Sequence, residues 1–208
     1  MAKNQPEVTT MKTIITRRDF LRIGAAATVG GLLGLPRTTP AEAIARSRVI
    51  LIRNKDVIGA SGSIRAEVLE QMMDQAMTTL IGTPDPVSAW EQLVKAEDVV
   101  GIKSNAWYQL PTPRSLEAAI HGRLLQVGVK KENMAADDRG VLSNPVFQRA
   151  TALINTRPMR THYWSGLGTL LKNYIMFTPR PSDYHDNACE NLGALWHFPQ
   201  VKGKTRLN

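Results

Sequence analysis

Short apolar runs alternate with amphipathic stretches along most of this chain, and this alternation restricts the folds that it can adopt. The apolar runs have the length and composition of buried strands. They are Arg48–Arg53, Asp98–Lys103, Asn133–Asp137 and Ala152–Asn155. Strands that alternate with helices predict a mostly parallel sheet with helices on both of its faces. We therefore predict an α/β fold.

The stretches between these runs carry helix signals. Apolar residues recur every four positions between Ser63 and Ile81, and a glycine follows them. An Asp-Pro pair and a Thr-Pro pair predict two further helix starts, because capping residues and proline are favoured there. The predicted helices span Ser63–Ile81, a short segment after Asp85–Pro86, Thr112–Val127 and Gly166–Phe177. From Thr178 onward we expect mostly loop.

The N-terminal stretch has the parts of an export signal. It resembles the twin-arginine export motif, in which paired arginines, Arg17 and Arg18, are followed closely by the apolar pair Phe20 and Leu21. The weakly apolar run that follows is too short to span a bilayer core, which needs about 20 residues. Two alternatives stay open: an uncleaved membrane anchor, and a buried basic helix, which the glycines of this stretch disfavour.

Small-residue cleavage sites at Ala41–Ala43 and Ala43–Ala45 end this segment. We therefore predict a signal peptide over residues 1–45 and a single α/β domain over residues 46–208. The twin-arginine pathway carries folded proteins, so its translocase is an expected partner, and the periplasm or another extracytoplasmic compartment is the expected location. Folded export would suit a domain that acquires a metal or cofactor before it leaves the cytoplasm.

Composition excludes several classes of function. The chain carries 26 basic and 18 acidic residues, with a net charge of +8, but it has no basic stripe with interleaved aromatic residues. We therefore expect no nucleic-acid binding. Cys189 is the one cysteine, so the chain has neither an intrachain disulfide nor a self-contained iron–sulfur site, which needs about four thiolates. The cofactor stays unknown, and a metal ion is one option.

Polar residues follow the predicted strands at the edge where parallel sheets bind ligands. Lys103 and Asn105 end the second predicted strand, and Asp138 and Arg139 follow the third. Since successive side chains of a strand point in opposite directions, we expect Asp138 rather than Asp137 to face the crevice. There it would bind a metal, orient a histidine or cap the next segment.

The segments after the fourth predicted strand carry the remaining candidates, which are Arg157, Arg160, His162, Lys172, Asn173, His185 and Cys189. Histidine titrates near neutrality and can pass a proton, and a buried lysine becomes a nucleophile. His185 and Cys189 lie four residues apart, as two metal ligands on one helical face would. Cys189 is equally compatible with a small buried hydrophobe.

Several of these motifs resemble, in the same order, the family called domain of unknown function 362. The resemblance covers the chain from about residue 48 to its end. It rests on Asp98–Asn105, Asp138–Arg139, Ala152–Asn155, His162, Gly168–Asn173, Tyr184–His185 and Leu192–Leu195. Members of that family are often linked to iron–sulfur proteins, which implies a redox-associated role.

Two departures from that family imply a shortened relative. The stretch between Arg139 and Ala152 is shorter than the family pattern, and the chain stops where the family usually continues into another strand. The resemblance therefore implies a sheet that lacks an edge strand. An unpaired edge invites a protein partner.

A second resemblance concerns the spacing of His162 and Lys172. It is similar to the arrangement in nickel-pincer lactate racemases, where a histidine is the acid–base group and a lysine holds the cofactor covalently. That resemblance implies these roles for His162 and Lys172, with His185 as a nickel ligand. The alternative is that Lys172 lies on a helix surface and His162 in an exposed loop.

Three functions are compatible with these observations. The first is a metal- or cofactor-dependent enzyme of small-molecule redox or proton-transfer chemistry, with an unknown small-molecule substrate. It would use His162, Lys172 and Asp138 in catalysis, and Lys103, Asn105, Arg139 and Asn173 to bind the cofactor. The second is a non-catalytic accessory or binding subunit of a redox complex. The third is a truncated, inactive relative.

Overall fold

The computed structural model describes residues 47–208. The predicted signal peptide over residues 1–45, with Arg17, Arg18, Phe20 and Leu21, lies outside the described residues. Among residues 47–208, no helix has both the length and the apolar character that crossing a membrane requires.

A sheet of four parallel strands forms the centre of the domain. The strands are β1 (Val100–Lys103), β2 (Met134–Asp137), β3 (Ala152–Asn155) and, as the last in the chain, β6 (Thr205–Leu207), and their spatial order is β2-β1-β3-β6. Every residue of β1 and β3 is buried, as expected for strands that are covered on both faces. The prediction of an α/β fold with a parallel sheet is confirmed.

Three helices cover one face of the sheet. They are α1 (Ala66–Ile81), α2 (Pro86–Glu91) and α3 (Arg114–Val127). Glycines in the left-handed conformation end α1 and α3, with φ angles of 84° and 98°. Asp85 caps α2, because its carboxylate accepts the Ser88 N–H at 2.6 Å. Trp90 of α2 packs in a core with Val100, Ile102 and Ile154 of the sheet.

Shorter elements cover the other face. They are α4 (Pro145–Gln148), α5 (Leu170–Asn173) and the 3₁₀ segments Tyr174–Phe177, Pro181–Tyr184 and Asn187–His197, and a further 3₁₀ turn, Lys131–Asn133, precedes β2. Phe147, Leu153 and Leu195 belong to the core of this face. Gly101 of β1 makes that packing possible, since a Cβ there would lie 2.8 Å from Phe147 Cε1 and 2.9 Å from Leu153 Cδ2.

A small antiparallel hairpin links β3 to α5. It consists of β4 (Arg160–His162) and β5 (Gly166–Gly168). The prediction of a helix over Gly166–Phe177 was therefore wrong in its first part, where Gly166 has a φ of 67° and starts a strand. The helix begins only at Leu170, and it continues as a 3₁₀ turn after four residues.

Other sequence predictions need correction. Residues 48–53 form no strand, and Val49 and Leu51 are 87% and 66% exposed. Thr112 does not cap α3; its hydroxyl bonds the Asn105 N–H at 3.1 Å and the Thr156 carbonyl at 3.2 Å, and the helix starts after Pro113. The segment after Thr178 is not mostly loop, since it contains 3₁₀ turns and β6.

Candidate functional site

The carboxyl end of β1 carries a buried ion pair. Lys103 is 0% exposed, and its Nζ donates to Asp138 Oδ1 at 2.5 Å and to the Ser104 carbonyl at 2.6 Å. The register places Lys103 beside Asp137 of β2, so Asp138 follows directly at the same edge. Burial lowers the pKa of Lys103 to about 8, although the attraction of Asp138 opposes that change.

The two neighbouring aspartates have different roles. Asp138 Oδ2 accepts the Ala106 N–H at 2.7 Å, so this side chain faces the loop after β1. Asp137 instead accepts the Gly140 N–H at 2.9 Å and the Asn144 side-chain amide at 3.1 Å, which stabilises the turn after β2. The two side chains therefore have different neighbours, although both of them line the groove beside β1 and the prediction had placed only Asp138 there.

Asn173 of α5 connects the ends of β1 and β3. Its Nδ2 lies within hydrogen-bond distance of four acceptors, which are Lys103 O (3.2 Å), Ser104 O (3.1 Å), Asn155 Oδ1 (2.9 Å) and Thr156 O (3.1 Å). Its Oδ1 accepts from Asn105 Nδ2 at 3.2 Å and, more distantly, from Lys103 Nζ at 3.4 Å. These contacts attach a short helix to two strand ends.

Two arginines after β3 extend the cluster. Arg160 Nη1 donates to Asn105 Oδ1 at 3.0 Å, and its guanidinium lies over the Trp107 ring at 4.2 Å from the centroid. Arg157 has a buried Nε with no hydrogen-bond partner among the described residues. Gly168 allows Arg157 to lie close to the hairpin, since a Cβ there would be 2.7 Å from Arg157 Nη2. Burial and the nearby Arg160 lower the pKa of Arg157 to about 10.

Lys172 and Cys189 form a second buried contact. Lys172 is 1% exposed and Cys189 is 4% exposed, and Lys172 Nζ donates to Cys189 Sγ at 3.4 Å. The alternative prediction, that Lys172 lies on a helix surface, is therefore wrong. Asn187, Ala188 and Cys189 have φ angles of 45°, 56° and 64°. This left-handed backbone costs roughly 1–2 kcal/mol at Ala188 and at Cys189, and it carries the thiol that contacts Lys172.

Two histidines stack beside Lys172. The rings of His162 and His185 are 5.7 Å apart, and Trp164 packs edge-on against His185 at 4.7 Å. Burial lowers the pKa of His162 to about 4, and the charge of Lys172 contributes to that change. His162 is therefore neutral at physiological pH. Its Nδ1 faces the Ser165 N–H at 3.4 Å.

The residues predicted as metal ligands do not fit a metal site. Between residues 47 and 208, no group of three or more His, Cys, Asp or Glu side chains is placed to hold an ion. The Cys189 thiol points to the His185 carbonyl at 3.9 Å and to Lys172, while the His185 ring packs on His162 and Trp164. An ammonium beside the thiol also opposes binding of a second cation there. No step involving a metal follows from this geometry.

An open groove of about 1050 Å³ lies beside the ion pair. Its lining includes Asn105, Tyr108, Arg114, Glu117 and Asp138, so the groove shares two residues with the cluster at the strand ends. Ser104 at the groove floor hydrogen-bonds Glu117 of α3. The groove gives a small molecule a route to Asn105 and Asp138.

The structure brings together most of the predicted site residues. Lys103, Asn105, Asp138, His162, Lys172 and Asn173 lie at or next to the carboxyl ends of β1, β2 and β3. Arg139 is exposed and has no hydrogen bond to this cluster in the described part of the chain. Arg157 and Arg160 were candidates because they follow a predicted strand, but the sequence predicted no specific role for them. Comparisons with protein-family models, with curated proteins and with solved structures gave no match.

Proposed function

We propose that this chain is an exported α/β enzyme that binds a small anionic molecule at the carboxyl ends of its strands and carries out proton-transfer chemistry on it. We also propose that the chain is a relative of the family called domain of unknown function 362, which its motifs resemble. One observation carries the proposal of anion binding: Lys103, Arg157 and Arg160 lie in one partly buried cluster with Asp138 as their shared acidic partner, and Lys172 lies near Arg157.

The balance of charge in the cluster supports an anionic ligand. Asp138 is already bonded to Lys103, the charge of Arg160 lowers the pKa of Arg157, and the charge of Arg157 lowers the pKa values of Lys103 and Lys172. Buried charges without a partner are costly, and an anion between them would offset that cost. Arg157 offers an unpaired Nε–H, and a guanidinium binds carboxylate or phosphate oxygens in pairs.

Two titratable groups support proton transfer. The pKa of Lys103 is about 8, within the range in which a side chain both takes up and releases a proton near neutral pH. His162 is neutral, so it can donate a hydrogen bond to a developing negative charge without adding another cation. Redox chemistry would need a cofactor, and intact-mass and elemental analysis of the exported protein would identify one if it is bound.

A non-catalytic binding subunit is the second candidate. The internal bonding of Asn173 and Lys103 favours it, because every polar atom of these side chains already has a protein partner. Such a subunit would bind the same anion without converting it. Turnover assays on whichever anion binds distinguish the two candidates.

Anion binding is tested by calorimetry and thermal shift with phosphate, sulfate, acetate and malonate at constant ionic strength. We expect at least one of these anions to bind, and Arg157→Gln to weaken its binding about tenfold or more, as expected for loss of a charge-assisted hydrogen bond. The exposed Arg206 gives a matched control, since Arg206→Gln removes the same charge from a side chain that hydrogen-bonds the Gly203 carbonyl and not the cluster. Equal anion affinity in the Arg157→Gln and Arg206→Gln variants contradicts the proposal. So does a protein that binds none of the four anions.

Export is tested separately by cell fractionation. The double substitution Arg17→Lys and Arg18→Lys should retain the protein in the cytoplasm, because the translocase reads the arginine pair. Export of the double variant at the normal level would refute this part of the proposal.

A further inference from the structure

The contact between Lys172 and Cys189 brings an amine and a thiol together inside the protein. Their Nζ and Sγ atoms are 3.4 Å apart, on residues that are 1% and 4% exposed. An ammonium has three hydrogens to donate, yet within residues 47–208 this thiol is the one hydrogen-bond acceptor recorded for Lys172 Nζ. A thiol is a weak acceptor, so the buried ammonium is poorly satisfied.

The surroundings favour the reactive forms of both groups. Burial lowers the pKa of Lys172, which increases the fraction of neutral amine with a free lone pair. Cys189 is the one cysteine of the chain, so no intrachain disulfide competes for its thiol. The left-handed backbone at Asn187, Ala188 and Cys189 holds the thiol in place against α5.

We propose that Lys172 and Cys189 are joined, under oxidising conditions, by a reversible covalent bridge in which one oxygen atom links Nζ to Sγ. The oxidant is dioxygen. One N–H bond, the S–H bond and the O–O bond break; an N–O bond, an O–S bond and two O–H bonds form. Nitrogen and sulfur each lose two electrons, and these four electrons reduce dioxygen to the bridging oxygen and one water. Two equivalents of a dithiol reverse the reaction and release the bridging oxygen as water.

The bridge would weaken anion binding at the candidate site, and this consequence rests on the proposed function. Bridging converts the Lys172 amine into a group that no longer carries an ammonium charge beside His162. The anion would then lose one of its four cations. Anion affinity should therefore fall several-fold in the oxidised protein and recover after reduction, which would make the site sensitive to the redox state of its compartment.

Mass spectrometry of the full chain tests the bridge directly. After incubation in air-saturated buffer, we expect a gain of about 14 Da, from one added oxygen and two lost hydrogens, whereas simple sulfenic acid formation adds about 16 Da. Dithiothreitol should restore the original mass. Lys172→Arg and Cys189→Ser should each abolish the gain, and Lys131→Arg, at an exposed lysine, should leave it unchanged.

Trypsin gives a second readout that does not depend on any variant. Cleavage occurs after Arg160, Lys172 and Lys202, while Pro181 protects Arg180. A bridged Lys172 should resist trypsin, so the oxidised protein should yield one peptide over residues 161–202. Reduction should split it into residues 161–172 and 173–202.

An unchanged mass, or an oxidised product that trypsin still cleaves after Lys172, overturns the proposal. A bridge that forms in a protein that binds no anion would refute the proposed function and leave this inference standing. Anion binding in a protein that forms no bridge would refute this inference and leave the proposed function standing.

Discussion

Lys103 should make the stability of this protein depend on pH in a direction opposite to that of an ordinary paired lysine. Its pKa falls from 10.5 in the unfolded chain to about 8 in the folded protein, because the side chain is fully buried. Between these two pKa values the unfolded state binds more protons than the folded state does. The free energy of unfolding therefore rises with pH in this window.

The size of the effect follows from the two pKa values. A difference of one pKa unit corresponds to about 1.4 kcal/mol, so Lys103 should add about 2 kcal/mol to the free energy of unfolding between pH 8 and pH 10. Above pH 10 a second group acts in the opposite direction. Burial raises the pKa of Tyr174 to about 12, so its ionisation lowers the free energy of unfolding as the pH rises further. The useful window is therefore pH 8 to pH 10.

Urea unfolding, followed by tryptophan fluorescence at several pH values, measures this effect. Lys103→Met removes the titrating group and should flatten the rise by about 2 kcal/mol relative to the wild type. The variant should also be less stable at every pH, because Asp138 loses its counter-charge. Lys172 also has a lowered pKa and adds to the wild-type rise, so the difference between the two proteins isolates Lys103.

Lys131→Met is the matched control, since it removes an exposed lysine. It should retain the wild-type rise. A rise of equal size in Lys103→Met would show that Lys103 does not titrate in this window, and a wild-type protein with no rise would refute the lowered pKa of Lys103.

Two further substitutions test the contacts around this site by urea unfolding. Asn173→Ala should lower the free energy of unfolding by about 2 kcal/mol, because it removes the amide contacts that join the ends of β1 and β3 and leaves the Asn155 side-chain oxygen without its donor; a loss below that of an average surface substitution would contradict its connecting role. Ala188→Gly should raise the free energy of unfolding by about 0.5–1 kcal/mol, since glycine adopts a φ of 56° without strain. Ala194→Gly, in the same 3₁₀ segment but without a positive φ, should instead be neutral or destabilising.

The sequence was sufficient to predict the strands at the centre of the sheet. Asp98–Lys103 and Ala152–Asn155 consist of apolar residues bounded by polar ones, and strands that are covered on both faces need that composition. Arg48–Arg53 has a similar composition and yet forms no strand and stays largely exposed, because an apolar run does not specify the partner strand that must supply hydrogen bonds. Thr205–Leu207 shows the converse, since these residues lack a strand pattern and pair with β3 because its edge is available.

Topology alone determines one contact of the candidate site. Lys103 and Asp138 meet because adjacent parallel strands end at the same edge of the sheet. The contact of Lys172 with Cys189 depends on a kinked 3₁₀ segment, and no local pattern in the sequence predicts a left-handed backbone at Asn187 and Ala188. Cys189 was therefore predicted as a metal ligand or a buried hydrophobe, and its actual neighbour was missed.

The buried polar groups at the strand ends divide into two kinds. The side-chain amide of Asn173 has hydrogen-bond partners within the protein. These bonds stabilise the fold, and this is a sufficient reason for an asparagine at this position. The cations differ, because a buried ion pair contributes little to stability compared with apolar residues of the same size. Arg157 and Lys172 lack even a carboxylate bonded to them in the described part of the chain. Stability therefore does not explain why these cations lie together, and the explanation that we propose is binding of an anion.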